Sequence, residues 1–151
     1  MKISELMTKE VFTIPPDMSV KEAARLLMDK EISGLPVVDK DNKVIGMLTE
    51  KDIISMAMPK YLEEKDLHDF AYILDDGPFW KKAEEADKLK VKDIMRKEVL
   101  CVSESTPLPE VARLMISKKV RRIPIVTDGK LVGIIARADI VKEIAKKTGI
   151  I

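Results

Sequence analysis

The chain has 151 residues, of which 46% are apolar and 35% charged, and its formal net charge is +1 at pH 7. This length allows one core or two small ones, and the balanced charge argues against a surface built for nucleic acid or an anionic membrane. The single cysteine, Cys101, excludes an intrachain disulfide. No run approaches the roughly 20 apolar residues that span a bilayer. We therefore expect a cytoplasmic protein that does not enter a membrane.

The first predicted elements are a short β-branched strand over residues 11–14 and a helix that follows Ser19. Ser19 and Glu22 have the spacing of a capping box, which marks a helix start. Two strands, over 35–38 and 44–48, then flank an Asp-Lys-Asp-Asn turn and predict a hairpin. A second helix is predicted over 51–57. Together these elements form a βαββα unit.

A connector follows, because Pro59 ends the second helix. Helices are predicted over 61–74 and 79–89, on either side of an Asp-Asp-Gly-Pro turn. The connector holds the chain's one Trp (Trp80), both Tyr residues and its one His (His68). This concentration of aromatic side chains indicates that the connector packs against another part of the protein.

The βαββα unit then occurs a second time. A strand is predicted over 99–102, and a helix is predicted with Thr106 as its cap and Pro107 at its first position. Asp128-Gly129 predicts a hairpin turn between strands over 123–126 and 131–135, and a last helix is predicted over 138–146. The two copies match in order with one gap in a turn, at Met7/Met95, Ala24-Arg25-Leu26/Ala112-Arg113-Leu114, Pro36/Pro124, Gly46/Gly133 and Asp52-Ile53/Asp139-Ile140. The predicted domains are therefore residues 1–57, 58–89 and 90–151, in an α/β fold.

The sequence contains none of the common catalytic motifs. His68 and Cys101 fall in different segments, whereas catalysis by either residue needs partners within hydrogen-bond reach. One His and one Cys cannot form a zinc site of the usual Cys and His ligands, and no P-loop, GxGxxG or HExxH pattern occurs. We therefore expect a protein that is not an enzyme and holds no metal.

Three motifs present in both repeats carry a resemblance to a known family. The first motif is Leu6-Met7 in the first repeat and Lys-Asp-Ile-Met over 92–95 in the second. The second is Gly-Leu-Pro-Val-Val over 34–38 and Arg-Ile-Pro-Ile-Val over 122–126. The third is Gly-Met-Leu-Thr-Glu-Lys-Asp over 46–52 and Gly-Ile-Ile-Ala-Arg-Ala-Asp over 133–139. The pattern resembles the CBS domain, named for cystathionine β-synthase, and covers everything except the connector. The resemblance implies two tandem βαββα CBS-type modules in a pseudo-twofold pair, with clefts between them that take AMP, ADP, ATP or S-adenosylmethionine.

The resemblance also assigns roles to polar residues at the start of each second helix. It implies that Asp52 and Asp139 hold ribose and that Thr49 contacts phosphate, in keeping with the free N–H groups and positive dipole end of a helix start. The alternative is that Thr49 to Asp52 is a capping box without a ligand. Ala136 stands where the first repeat has Thr49, so the second site lacks the hydroxyl. The persistence of Asp139 without it favours the ribose role.

Further site residues are carried over from the family. The adenine slot is expected to involve, in the two repeats, Thr13, Ile14, Ile32, Leu35 and Pro36, and Cys101, Val102, Val120, Ile123 and Pro124. For any one of these residues taken alone, an ordinary core position is the favoured interpretation. Arg121 and Arg122 precede the second proline and are expected to contact ligand phosphate, because a guanidinium makes paired charge-assisted hydrogen bonds. The alternative for both is a solvated basic turn.

Two functions of different classes follow. The first is a regulatory sensor that binds an adenosine-containing ligand and signals to an unidentified partner protein. The second is a structural dimerisation or interaction platform with a vestigial ligand cleft. A nucleic-acid role rests on the Lys-Lys-Val-Arg-Arg cluster over 118–122 alone and is disfavoured. The resemblance also implies a homodimer that packs through the second helix of each module, whose apolar residues are Ile53, Ile54, Ala57, Ile140, Val141, Ile144 and Ala145.

Overall fold

A computed structural model of the chain describes residues 1–58 and 76–150. The first repeat consists of helix α1 (Ile3–Leu6), helix α2 (Val20–Asp29), strands β1 (Gly34–Val38) and β2 (Val44–Thr49), and helix α3 (Glu50–Ala57). Helix α4 (Gly77–Ala83) and a 3₁₀ turn (Glu84–Asp87) follow. The second repeat consists of helix α5 (Val91–Ile94), strand β3 (Val102–Ser103), helix α6 (Leu108–Ser117), strands β4 (Arg122–Thr127) and β5 (Lys130–Ala136), and helix α7 (Arg137–Lys147). The predicted α/β fold of tandem modules is confirmed.

The chain forms two compact units, and neither is a continuous stretch of sequence. The first-repeat unit contains Thr13–Asp39 and Ile45–Lys97, and the second-repeat unit contains Met1–Phe12, Lys40–Val44 and Glu98–Ile151. Each unit therefore holds the helices and strands of one repeat together with the opening helix of the other. We call residues 1–12 and 90–97 the first and second leads.

Each lead is joined to its unit by a short antiparallel bridge. In the first-repeat unit, Met47 and Arg96 exchange two backbone hydrogen bonds of 2.9 Å. In the second-repeat unit, Thr8 and Ile134 exchange equivalent bonds of 2.9 and 3.0 Å. These bonds satisfy N–H and C=O groups of β2 and β5 that would otherwise lack a partner in their sheets.

A methionine side chain of each lead lies over a glycine of the strand beside it. A Cβ atom added to Gly46 would clash with Sδ of Met95, and one added to Gly133 would lie 2.5 Å from Sδ of Met7. The glycines are needed because the methionines approach the strands so closely. Gly46 and Gly133 recur in the two repeats for the same packing reason.

Each unit has its own apolar core, made from one repeat and the lead of the other. The lead residue Ile3 belongs to the core of the second-repeat unit, and Val91 belongs to that of the first-repeat unit; both are 0% exposed. The other fully buried members are Ile14, Ala23, Val37 and Leu48 in one unit, and Val111, Ile123, Ile125 and Ile135 in the other. The leads therefore contribute to the hydrophobic core and not only to the sheet edges.

The described part of the connector packs against the first repeat, and the helix predicted over 79–89 is divided into α4 and the 3₁₀ turn. Helix α4 packs against α3, the 3₁₀ turn packs against α2, and Lys21 and Asp87 form an ion pair of 3.2 Å. Trp80 is 58% exposed, donates a 3.0 Å hydrogen bond to Asp76 and makes an edge contact with Phe79. The predicted helix over 61–74, with His68, lies outside the described residues.

Two local predictions were wrong. The strand over 11–14 is reduced to one parallel bridge between Ile14 and Val37, because Val11 and Phe12 belong to the other unit. The strand over 99–102 is likewise short, and pairs only at Val102 and Ser103.

The predicted cap of the second repeat's first helix was also wrong. Pro107 is the N-cap residue of α6 and makes no side-chain cap hydrogen bond, and Pro109 lies inside the first turn. The Thr106 hydroxyl lies 3.3 Å from that of Ser103 instead. In the first repeat, by contrast, the Ser19 side chain accepts a 3.1 Å hydrogen bond from the N–H of Glu22, as predicted.

None of the described helices is long and apolar enough to cross a bilayer.

Candidate functional site

Both second helices begin with the same arrangement around an aspartate. The N–H of Thr49 donates to Oδ2 of Asp52 at 2.8 Å, and the N–H of Ala136 donates to Oδ2 of Asp139 at 2.8 Å. The capping alternative is thus correct for one oxygen of each carboxylate. Within the described ranges, the other oxygen of each group has no hydrogen-bond partner. Both side chains are half-buried, so each aspartate can cap its helix and still accept a hydrogen bond from a ligand.

The Thr49 hydroxyl is committed to the same carboxylate. It lies 3.1 Å from Oδ2 of Asp52, and because an ionised carboxylate only accepts hydrogen bonds, the hydroxyl is the donor. In this state Thr49 presents lone pairs, and not a proton, to its surroundings. A phosphate contact by Thr49 would therefore require its hydroxyl to rotate.

A backbone hydrogen bond in each unit brings the helix start to the segment that precedes the strand proline. The N–H of Glu50 donates to the carbonyl of Ser33, and the N–H of Arg137 donates to that of Arg121, both at 2.9 Å. Residues predicted from two separate regions of the sequence are therefore neighbours: the start of α3, which Asp52 caps, lies beside Ser33, and in the second unit the start of α7, which Asp139 caps, lies beside Arg121.

The slot residues near the start of each repeat are bonded to the strand that carries the proline of the same repeat. Ile14 donates to the carbonyl of Pro36 at 3.2 Å and accepts from the N–H of Val38 at 3.1 Å. In the second repeat, Val102 pairs with Ile125. The chain thus gathers the predicted slot residues of each repeat within a single unit.

Burial divides these slot residues into two groups. Six are buried in the cores, with exposures of at most 7%, namely Ile14, Leu35, Pro36, Val102, Ile123 and Pro124. Thr13, Ile32, Cys101 and Val120 keep part of their side chains exposed. Side-chain contact with a ligand is therefore open to the second group, whereas the first group supports the sheets and can offer only backbone atoms. Burial also raises the pKa of the Cys101 thiol.

The second-repeat unit is rich in arginine around its helix start. Arg121 is exposed and Arg122 half-buried. The sequence reasoning missed Arg137, whose guanidinium donates from Nε to the carbonyl of Val120 at 3.0 Å and from Nη2 to that of Met115 at 3.5 Å. This side chain fastens the end of α6 to the start of α7. The sequence did contain a sign of this role: Arg137 is a basic residue at the start of a predicted helix, where the helix dipole disfavours positive charge. Such a residue is expected to have a partner.

Comparisons with known proteins agree with this architecture. The CBS domain family model matches residues 3–58 and 91–146. The chloroplastic CBS domain-containing protein CBSX2 of Arabidopsis thaliana is 32% identical over 150 residues, which cover 93% of this chain and 62% of that protein. An inosine-5'-monophosphate dehydrogenase of Methanocaldococcus jannaschii is 35% identical over 142 residues, but they cover only 23% of the enzyme. The chain therefore spans less than two thirds of the length of these relatives.

Solved structures are similar over nearly the whole chain. CBSX2 in complex with AMP superposes with a TM-score of 0.74 at 29% identity, and covers 97% of this chain and 98% of that chain. A structure of CBSX2 from Arabidopsis thaliana, described as a CBS-pair protein, gives a TM-score of 0.77 at 27% identity. The repeated sequence, the two βαββα modules and the two family matches lead to one conclusion: this chain belongs to the CBS-domain family, as a tandem pair of CBS domains.

Proposed function

We propose that this protein is a regulatory module without catalytic activity, and that its units bind adenosine-containing ligands. One repeated arrangement carries the proposal: in each unit, an aspartate with an unengaged oxygen lies beside the segment before the strand proline. That oxygen can accept hydrogen bonds from ribose hydroxyls. The AMP complex of the similar protein CBSX2 supports this ligand class. Because the ligand would bind two conformations with different affinities, its binding would shift their populations. A partner protein would respond to that shift.

The proposal predicts that AMP, ADP, ATP or S-adenosylmethionine stabilises the fold. At ten times its dissociation constant, a ligand that binds only the folded state adds about 1.4 kcal/mol. Differential scanning fluorimetry with each compound, paired with calorimetric titration, measures this. Guanosine nucleotides serve as the control for adenine recognition. If none of the four adenosine compounds at millimolar concentration raises the melting temperature, the dimerisation platform becomes the better description.

The single thiol provides a direct test of the second-repeat unit. Cys101 is partly exposed and is one of the slot residues. We expect saturating ligand to slow its alkylation by iodoacetamide at least tenfold, because a base stacked there would cover the sulfur. Mass spectrometry of the intact protein over time measures the rate. The control is Asp139→Asn, in which ligand should protect less; an unchanged rate in the wild type would remove Cys101 from the lining.

We also propose that the protein is a homodimer that associates through its second helices. Ile54 on α3 is 58% exposed, and Val141 and Ile144 on α7 are 63% and 55% exposed. Ile53 and Ile140, by contrast, pack against the cores of their own units. The second helices therefore have an apolar side that the described part of the chain leaves uncovered, and a second copy would bury it.

Light scattering should accordingly give twice the chain mass of 17.0 kDa. Ile54→Asp combined with Val141→Asp should shift the mass to that of the single chain, because a buried carboxylate in an apolar interface is costly. The control is Lys142→Asp, which places the same acid at an exposed position next to Val141. A wild-type mass of 17.0 kDa at all concentrations would contradict the proposal.

A further inference from the structure

The two candidate sites have opposite charge although their backbones correspond. In the first-repeat unit, residues 29–34 and 49–52 carry a net charge of −2. The equivalent residues of the second-repeat unit, 117–122 and 136–139, carry a net charge of +4. The replacements that make the second site more positive are Asp29 by Ser117, Glu31 by Lys119, Ser33 by Arg121, Gly34 by Arg122, and Glu50 by Arg137, and one replacement, Lys51 by Ala138, acts in the opposite direction.

The backbone geometry gives no reason for these charge reversals. Glu31 and Lys119 occupy the same turn after the first helix, with φ of 53° and 55°. The two backbone bonds that join each turn region to its second helix are both 2.9 Å long, as described above. Equivalent positions are thus held in equivalent places, and the difference between the sites lies in their side chains.

Four of these charged side chains are exposed to solvent and are not neutralised by an ion pair with another described residue. Glu31, Glu50, Lys119 and Arg121 are exposed, and none of them forms an ion pair with any residue in 1–58 or 76–150. Charges of one sign around a site raise the local concentration of ligands of the opposite sign. The first-repeat unit repels anions at this place, and the second-repeat unit attracts them.

The hydroxyl at the first site points to the same difference. Because Thr49 donates its proton to Asp52, it offers a ligand acceptor lone pairs unless its hydroxyl rotates and gives up that hydrogen bond. Phosphate oxygens are acceptors as well, so they are poorly matched to this group, whereas ribose hydroxyls and amines are donors. The second site has no such hydroxyl; there Ala136 pairs with Arg122 across the sheet, and the N–H of Arg137 donates to the carbonyl of Arg121.

We infer that the two units are specific for adenosine ligands of different charge. The second-repeat unit selects the polyphosphates, ADP or ATP, and the first-repeat unit selects an uncharged or cationic adenosine compound. The inference rests on the proposed function and refines it by assigning a ligand class to each site. A protein built this way responds to the ratio of two adenosine compounds and not to the level of one.

The experiment is a titration followed by ¹H–¹⁵N NMR, in which backbone amides report on each site separately. Adenosine and ATP are the probes. The amides of residues 136–139 should half-saturate at a concentration of ATP at least tenfold below that of adenosine, a difference equal to about 1.4 kcal/mol. The amides of residues 49–52 should half-saturate at a lower concentration of adenosine than of ATP. Added salt should weaken ATP binding at the second site only, because salt screens its charges.

Matched variants exchange the charges between the sites. Lys119→Glu combined with Arg121→Ser places first-repeat residues in the second site and should reduce its ATP preference at least tenfold, without affecting the amides of 49–52. Glu31→Lys is the reverse change and should raise the ATP preference at the first site. If both sites prefer the same compound, or if these variants leave the preferences unchanged, the inference is wrong while the binding function stands. If neither compound shifts either set of amides, both fail.

Discussion

Gly133→Val is expected to lower the free energy of unfolding by about 3 kcal/mol, at the upper end of the range for overpacking. A Cβ atom at Gly133 would lie 2.5 Å from Sδ of Met7 and 3.1 Å from the carbonyl oxygen of Thr8. The methionine can move, but the carbonyl of Thr8 belongs to a residue held by two backbone hydrogen bonds to Ile134. The substitution therefore forces the first lead away from β5. Urea denaturation followed by circular dichroism measures the loss.

Gly46→Val in the first-repeat unit is the matched comparison. The three nearest atoms to a Cβ at Gly46 all belong to the flexible side chain of Met95. This variant should be less destabilised than Gly133→Val, and Met95→Ala should restore part of its stability by making room. Gly133→Ala provides a milder test in case the valine variant does not fold. Equal stability of wild type and Gly133→Val would mean that lead packing contributes little.

Asp52→Asn and Asp139→Asn are each expected to weaken ligand binding at their own site by about 1.5–3 kcal/mol, the usual contribution of a hydrogen bond to a charged group. Both variants should fold, because the asparagine amide oxygen can still accept from the N–H of Thr49 or Ala136. Calorimetric titration with AMP and ATP measures the loss, and thermal melting checks the fold.

The chain contains a control that separates capping from ligand binding. Asp93 in the second lead accepts a 2.8 Å hydrogen bond from the N–H of Lys90, which is the same capping geometry at a residue that belongs to neither candidate site. Asp93→Asn should cost as much stability as the other two substitutions and leave ligand affinity unchanged. If all three variants bind as well as the wild type, Asp52 and Asp139 are caps alone.

Elements with strong local signals could be predicted from the sequence. The hairpin around Asp128-Gly129 was placed to within about one residue because both turn residues must adopt positive φ, and they do so at 53° and 79°. The second helices also begin within one residue of the prediction. In these segments, apolar periodicity and turn chemistry agree with the tertiary structure.

The leads could not be placed in the same way. Helices α1 and α5 have four residues each, which is too short for a helical period to emerge, and their partners lie far away along the chain. The difference in charge between the two sites was predicted from the sequence only in part, from Arg121 in the second repeat. The spacing of residues in the sequence does not give side-chain geometry. For this reason it did not predict the hydrogen bond from Thr49 to Asp52 or the contact by which Arg137 joins two helices.

The exchange of leads has a consequence for any attempt to divide the protein. A fragment of residues 1–58 would include Met7 without the strand it covers, and would leave the surface under Met95 bare. The missing piece could then come only from another molecule, so such fragments should associate with each other, or with the complementary fragment, in trans. Within the intact chain the same association is intramolecular, at a high effective concentration. Duplication of the repeat in one polypeptide thus makes the association of lead and strand independent of protein concentration.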